Sequence, residues 1–268
     1  MKWALLLLLI SCGAKNSSTT KPNTTQINQE STQPKVCLPG ALPAEHVRSE
    51  DYLSFANFSF QGIGRCRGHA ILTQRLLMLM RFKPSAPANF DCDSEPATCR
   101  IKVRALLDQV DNSKVVAVPG FDSLADFSDH PVIKGVLKSR IISYGHTYTA
   151  TSIDLPGTDT RSILVFKEAM RRVVLNQVPY LALNGAAVGD HGVLAYASER
   201  KNGLPVLCIR DSNIIPKQGR EECDNYMYID LGRVRYVRYA RPEDTVRMEL
   251  FNDEDRRIQA YRKTLCQN

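Results

Sequence analysis

The sequence is poor in the features that usually announce a large polymeric partner or a cofactor. It has a single tryptophan, and its lysines and arginines are dispersed although the net charge is +7. Neither a basic arm nor an aromatic stacking platform is present, so nucleic acid is not an expected partner. The positive excess implies only a weak attraction to anionic surfaces. No two cysteines show the Cys-x-x-Cys spacing of a common zinc site, so neither a metal nor an organic cofactor is expected. Internal repeats and a second linker are also missing. Beyond the first residues, no apolar run is long enough to cross a bilayer.

The N-terminus is different. Lys2 precedes the apolar run Trp3 to Ile10, then Ser11 and Cys12. A basic start, a short apolar stretch and a small residue make a secretory signal peptide over residues 1–11. "LISC" resembles the bacterial lipobox, which implies cleavage before Cys12 and a lipid on its thiol. The alternative is an ordinary signal peptide, with Cys12 lost on cleavage. Gly13, rather than Asp, after that cysteine implies the outer membrane if the host envelope is Gram-negative. Residues 13–36 hold almost nothing apolar. Burial there cannot offset ordering entropy, so residues 12–36 are expected to be a lipid anchor and disordered tether. Sequons at Asn16, Asn23 and Asn57 would matter only in a eukaryotic secretory pathway. Residues 37–268 have globular composition and suit one domain.

The chain has eight cysteines. With Cys12 lipidated and Cys66 set aside, Cys37, Cys92, Cys99, Cys208, Cys223 and Cys266 form an even set in an exported chain, which implies disulfides. Cys92 and Cys99 are close enough to close a small loop, while the other pairings stay open. Cys66 is left as an unpaired thiol in an oxidising compartment.

That cysteine stands in "QGIGRCRGHA", Gln61 to Ala70, ahead of an apolar run to Phe82 that stops before Pro84. Leu and Met content and length imply a largely buried helix. Gly62 and Gly64 permit a tight turn just before it. Cys66 then falls at the helix N-terminus, where unpaired amides and the macrodipole favour a thiolate. Arg65 and Arg67 add positive charge. A small buried thiol filling a core gap is the structural alternative.

The second informative stretch starts at Val178 and runs to Asn213: three apolar segments rich in Val, Leu, Ile and Tyr, broken by polar turns. These read as strands. His191 opens the second and Asp211 ends the third, with "SERKNG" as a hairpin loop. A loop centred on Lys201 places Asp211 opposite His191; one centred on Asn202 places Asn213 there. In either register the imidazole gains an orienting partner on its own face of the sheet. Nucleophile, base and orienter thus come from three separate places. Of the other histidines, His69 lies one helical turn after Cys66 and is a rival base, while His46, His130 and His146 have no such company.

These residues resemble the papain-like cysteine peptidase superfamily, in particular its bacterial branch that includes double-glycine leader peptidases. The resemblance spans roughly residues 61–82 and 174–230. It implies Cys66 as nucleophile, His191 as general base and acid, Asp211 as orienter with Asn213 as the alternative, and Gln61 as a side-chain donor to the oxyanion hole. The sequence departs from the pattern in the spacing of Gln61, in Arg67 where an aromatic is common, and in Ser212 where Asp-Pro-Asn has its proline.

Between these stretches, residues 99–112, 121–140 and 159–176 read as helices, with "VVAVPG" as a short strand. "NYMYIDLG" and "RVRYVRYA" supply further strands. Helices first and an antiparallel sheet after give an α+β class, with the Cys66 helix in an N-terminal layer packed on a C-terminal sheet. A cleft between the two would hold the site, with residues 113–158 as its wall and 143–160 as a loop over it. The resulting expectation is an exported, membrane-anchored cysteine hydrolase acting on peptide or protein substrates by acyl transfer. Its alternatives are a peptidoglycan amidase or endopeptidase, and a binding lipoprotein that keeps the fold without the chemistry.

Overall fold

The computed structural model describes residues 51–61, 63–89, 91–148, 159–175, 177–187, 189–214, 223–238 and 243–250. The expected signal peptide, Cys12 and its tether, Cys37, Cys266, His46 and the loop over 149–158 lie outside the described residues. Among those described, no helix is long and apolar enough to cross a membrane.

The glycine-containing stretch before Cys66 is a tight hairpin. Strand β1 (Ser59–Phe60) pairs with β2 (Ile63–Gly64), Phe60 facing Ile63 across the turn. Gln61 sits in that turn with φ of 53°. Helix α1 (Cys66–Leu79) follows directly, and all of its residues are buried. It ends before Phe82, earlier than the sequence suggests. Met80–Lys83 forms β3, parallel to β4 (Val116–Pro119). Pro84 forces extended backbone on the residue before it, and β4 offers the ladder that stabilises it.

Helix α2 (Pro96–Asp111) starts on a proline, whose missing N–H costs nothing in a first turn. The helix expected over 121–140 is two, because Pro131 cannot continue a preceding turn. They are α3 (Leu124–Asp129), capped by Ser123 Oγ accepting from the Asp126 amide, and α4 (Pro131–Tyr148). Residues 143–148, expected to begin a loop, are thus helical. Within residues 113–158, Ile133, Leu137 and Ile141 are fully buried in the same core as α1. Helix α5 (Asp159–Val174) agrees closely with expectation.

The remaining strands are β5 (Tyr180–Gly185), β6 (Gly189–Lys201), β7 (Leu204–Asp211), β8 (Tyr226–Asp230), β9 (Arg233–Val237) and β10 (Asp244–Leu250). The class is α+β, as expected. The sequence reading did not include β10, which pairs with both β5 and β9 and closes the antiparallel sheet into a six-stranded barrel.

Strand alternation sorts the core into two. Leu183, Val193, Ile209, Met227, Tyr236 and Met248 form one cluster, against which α5 lays Phe166, Ala169 and Val173. Tyr180, Leu194, Val206 and Cys208 join α1 to α4 in the other. Leu72, Leu76 and Leu79 are fully buried there, each contributing about 1.5–3 kcal/mol of hydrophobic stabilisation. Disulfides Cys92–Cys99 and Cys208–Cys223 fasten the approach to α2 and the link from β7 toward β8, which fits an oxidising compartment.

Candidate active site

The site is assembled where the start of α1 meets the ends of β6 and β7. The helix start is left open: Arg65 is its N-cap and contributes no capping side chain, and the first turn carries no acidic residue. Unsatisfied amides at this positive end therefore face the Cys66 sulfur rather than a cap. The amides of Arg67 and Gly192 both donate to it.

Gly192 lets the histidine strand come that close. A Cβ at this position would lie 2.9 Å from the Arg67 Cα and 3.0 Å from the Tyr180 ring. Only a glycine allows β6 to rest on the first turn of α1. His191, its neighbour, is thereby brought beside Cys66, near enough for each to shift the other's titration, while the thiol itself donates to the Asp190 carbonyl at 3.7 Å.

On its other side, His191 Nε2 lies 2.7 Å from Asp211 Oδ1. The carboxylate fixes Nε2 as a donor and leaves Nδ1 for the sulfur. Asp211 accepts two further bonds, from the Tyr236 hydroxyl to Oδ2 at 2.9 Å and from the Asn213 amide to Oδ1 at 2.8 Å. Tyr236 is fully buried. Burial and then the charge of Asp211 hold its phenol protonated and donating.

The register that produces this pair differs from the symmetric one. The hairpin turn is Asn202–Gly203, both with positive φ, as a two-residue turn between twisted strands requires. An irregularity between Ala195 and Ala197 then shifts the ladder, and Val193, not His191, faces Asp211. Asp211 reaches His191 as a diagonal neighbour on the same face. Asn213 contributes its backbone to Asp211, while its side chain accepts from Asn57 Nδ2 at 3.0 Å.

Burial pushes the Cys66 thiol up, but hydrogen bonding and charge from His191, then the Gly192 and Arg67 amides, bring it below its ordinary value. His191 shows the converse: burial lowers it, yet the bonds to Asp211 and Cys66 hold it up at about 9. Asp211 is raised by burial and brought below the usual carboxylate range by His191, the Asn213 amide and Tyr236. A lowered thiol beside a raised imidazole favours a thiolate–imidazolium pair on a carboxylate. Such a pair presents an activated nucleophile with a proton donor beside it.

The two flanking arginines do not supply this activation, contrary to the sequence reading. Arg67 is paired with Asp190 at 3.9 Å, and the Arg65 guanidinium sits over the Phe60 ring at 5.6 Å. His69 is buried with Nε2 2.8 Å from the Phe55 carbonyl. Burial holds it down at about 4, a neutral core histidine rather than a base. Gln61 is exposed in the β1–β2 turn, and no hydrogen bond among the described residues ties it to Cys66. Among the described residues, Glu199, Cys208 and Cys223 alone cluster as metal ligands do, but both sulfurs are committed to a disulfide.

Three supporting residues escaped sequence reading: Tyr236, Gly192 and Asn57. Asn57 Oδ1 accepts from the Arg65 amide at 3.0 Å, and its own amide donates to the Ser212 carbonyl. It ties the helix start to the end of β7. Tyr236 was legible only as an inward position of an alternating strand. A glycine directly after His191 was the one available signal of close approach.

Comparisons were made with protein-family models, curated proteins and solved structures. None gives a match. The reading of the site therefore rests on its own geometry.

Proposed function

We propose that this chain is a papain-like cysteine hydrolase, exported and tethered to a bacterial envelope membrane through a lipid on Cys12, with peptide or protein substrates. The observation that carries the proposal is the meeting of Cys66, His191 and Asp211, from three distant stretches, with the sulfur lowered and the imidazole raised in pKa. In the proposed reaction the Cys66 thiolate adds to a substrate carbonyl. His191 then passes its proton to the leaving amine, and the acyl-enzyme forms. A water deprotonated by His191 releases the acid and regenerates the thiol. The Cys66 amide, which has no partner within the helix, is a donor for the developing oxyanion, and Gln61 on the neighbouring turn is the second.

A non-catalytic binding protein is the second reading, favoured by the low exposure of Cys66, 9%. One experiment separates the two. The folded protein is treated with a peptidyl electrophile, and with iodoacetamide at mildly acidic pH, and the modified residue is mapped. Selective labelling of Cys66, slowed in His191→Ala and lost in Cys66→Ser, is the expected result. Labelling only after denaturation, or none, overturns the hydrolase in favour of the binding protein. Turnover of unfolded protein against purified sacculi then separates a peptidase from a peptidoglycan hydrolase.

A further inference from the structure

Beside the candidate active site stands an arginine whose side chain the proposed reaction does not use. Arg67 follows the nucleophile in α1, and its main-chain amide donates to the Cys66 sulfur. Its Cα lies against Gly192 of β6, so the root of the side chain is pinned between helix and strand. The side chain is only 10% exposed, and that packing holds most of it in place before any ligand arrives.

The guanidinium is left without a hydrogen bond. Its one partner among the described residues is Asp190, with Nη2 3.9 Å from Oδ2, beyond hydrogen-bond length. Its nitrogens are not sealed from solvent either. Asp190 faces outward, 57% of its side chain exposed, and its Oδ1 accepts from Asn184 Nδ2 at 2.7 Å. The same residue brings its main-chain carbonyl to 3.7 Å from the Cys66 sulfur. Thiol and guanidinium therefore meet a single residue of β6, and an extended peptide, at ~3.3–3.6 Å per residue, spans both within a few positions. A planar fork of donors on a stem already held takes up a carboxylate at little cost in side-chain entropy. The net charge of +7 draws anionic peptides toward the chain as a whole.

We propose that Arg67 is a specificity-determining residue, and that its guanidinium selects peptides with a carboxylate close to the scissile bond. This rests on the hydrolase reading of Cys66 given above. Two sources share the chemistry: an Asp or Glu side chain within the substrate, and the free C-terminus of a peptide. The charge of Asp190 opposes either ligand, so Asp190 tempers the preference and Arg67 creates it.

The test has two arms on the purified, folded chain. In the first, Cys66 is alkylated with anionic iodoacetate and with neutral iodoacetamide, and the readout is the ratio of the two rates, which cancels changes in the thiol itself. Arg67→Gln should lower that ratio about threefold or more, and Asp190→Asn, which removes the opposing charge, should raise it. In the second, a proteome-derived peptide library is digested and the cleaved bonds are mapped by mass spectrometry. Asp or Glu enriched within a few positions of the bond identifies a side chain as the ligand, and cleavage confined to the last few residues identifies the terminal carboxylate. Either preference should fall about tenfold in Arg67→Gln, the loss of a charge-assisted pair. An unchanged ratio in Arg67→Gln, no preference for a carboxylate among the cleaved peptides, or a preference that survives the substitution overturns the proposal. A folded chain that does not label at Cys66 at all overturns the hydrolase reading, and this one with it. If Cys66 labels but no library peptide is cleaved, the alkylation ratio decides alone. If Arg67→Gln does not fold, Asp190→Asn decides, and a ratio that stays the same or falls overturns the proposal.

Discussion

Replacing Gly192 by alanine adds one methyl group at the tightest contact of the site. The new Cβ would meet the Arg67 Cα at 2.9 Å, the Arg67 amide nitrogen at 3.2 Å and the Tyr180 ring at 3.0 Å. Carbon atoms settle at roughly 3.5–4.0 Å, so relief requires about 0.5–1 Å of movement. Two of the three obstacles are backbone in the first turn of α1, which is buried and cannot swing aside. The Tyr180 ring is buried as well. Strand β6 must therefore retreat from α1, taking His191 and the Gly192 amide away from the Cys66 sulfur. Overpacking of this kind costs about 1–3 kcal/mol of stability. A misplacement near 1 Å between reacting groups is worth on the order of 10²-fold in rate. The assay is iodoacetamide labelling of Cys66 at mildly acidic pH, alongside thermal melting of the same samples. Gly192→Ala should melt at lower temperature, stay folded, and label on the order of tenfold or more slowly, because the thiol returns toward its ordinary pKa. Labelling at the natural rate with an unchanged melting point would refute the claim that this glycine holds the pair together.

Turnover should follow a bell in pH. It rises where Cys66, held below its ordinary value, loses its proton, and falls near pH 9, where His191 gives up the proton needed by the leaving group. In Tyr236→Phe, loss of one donor to Asp211 should leave the protein folded and cut turnover by a modest factor, about tenfold or less; no change at all would remove Tyr236 from the site. Asp211→Ala should cut turnover on the order of 10²–10⁴-fold, far more than Asn213→Ala, with folding checked by circular dichroism; the reverse ranking would make Asn213 the orienter. Finally, Cys12→Ala should release the protein from the membrane fraction, and retention without any lipid on the mature N-terminus would remove the proposed anchor.

Some of this site was legible in the residues themselves because the signals are local. Glycines before an apolar run that stops short of Pro84 place Cys66 at a helix start, whatever packs around it. Period-two alternation puts His191 and Asp211 on one face in either register considered. Cys66 also stood out as the odd cysteine of an even set, and Cys92–Cys99 was readable as a short closed loop. Tertiary structure decided what local pattern does not encode. Whether Asp211 faces His191 directly or diagonally depends on an Asn202–Gly203 turn and an irregularity at Ala195–Ala197, and such a shift leaves no mark on apolar alternation. The expected help from a helix-start amide and from His191 is present, joined by the Gly192 amide, whereas the two arginines adjacent in sequence are engaged by Asp190 and Phe60 in space. Tyr236 meets Asp211, and β10 meets β5, only once the barrel closes. Strand partners far apart in the chain are chosen by the burial they achieve together, and that is a property of the folded whole.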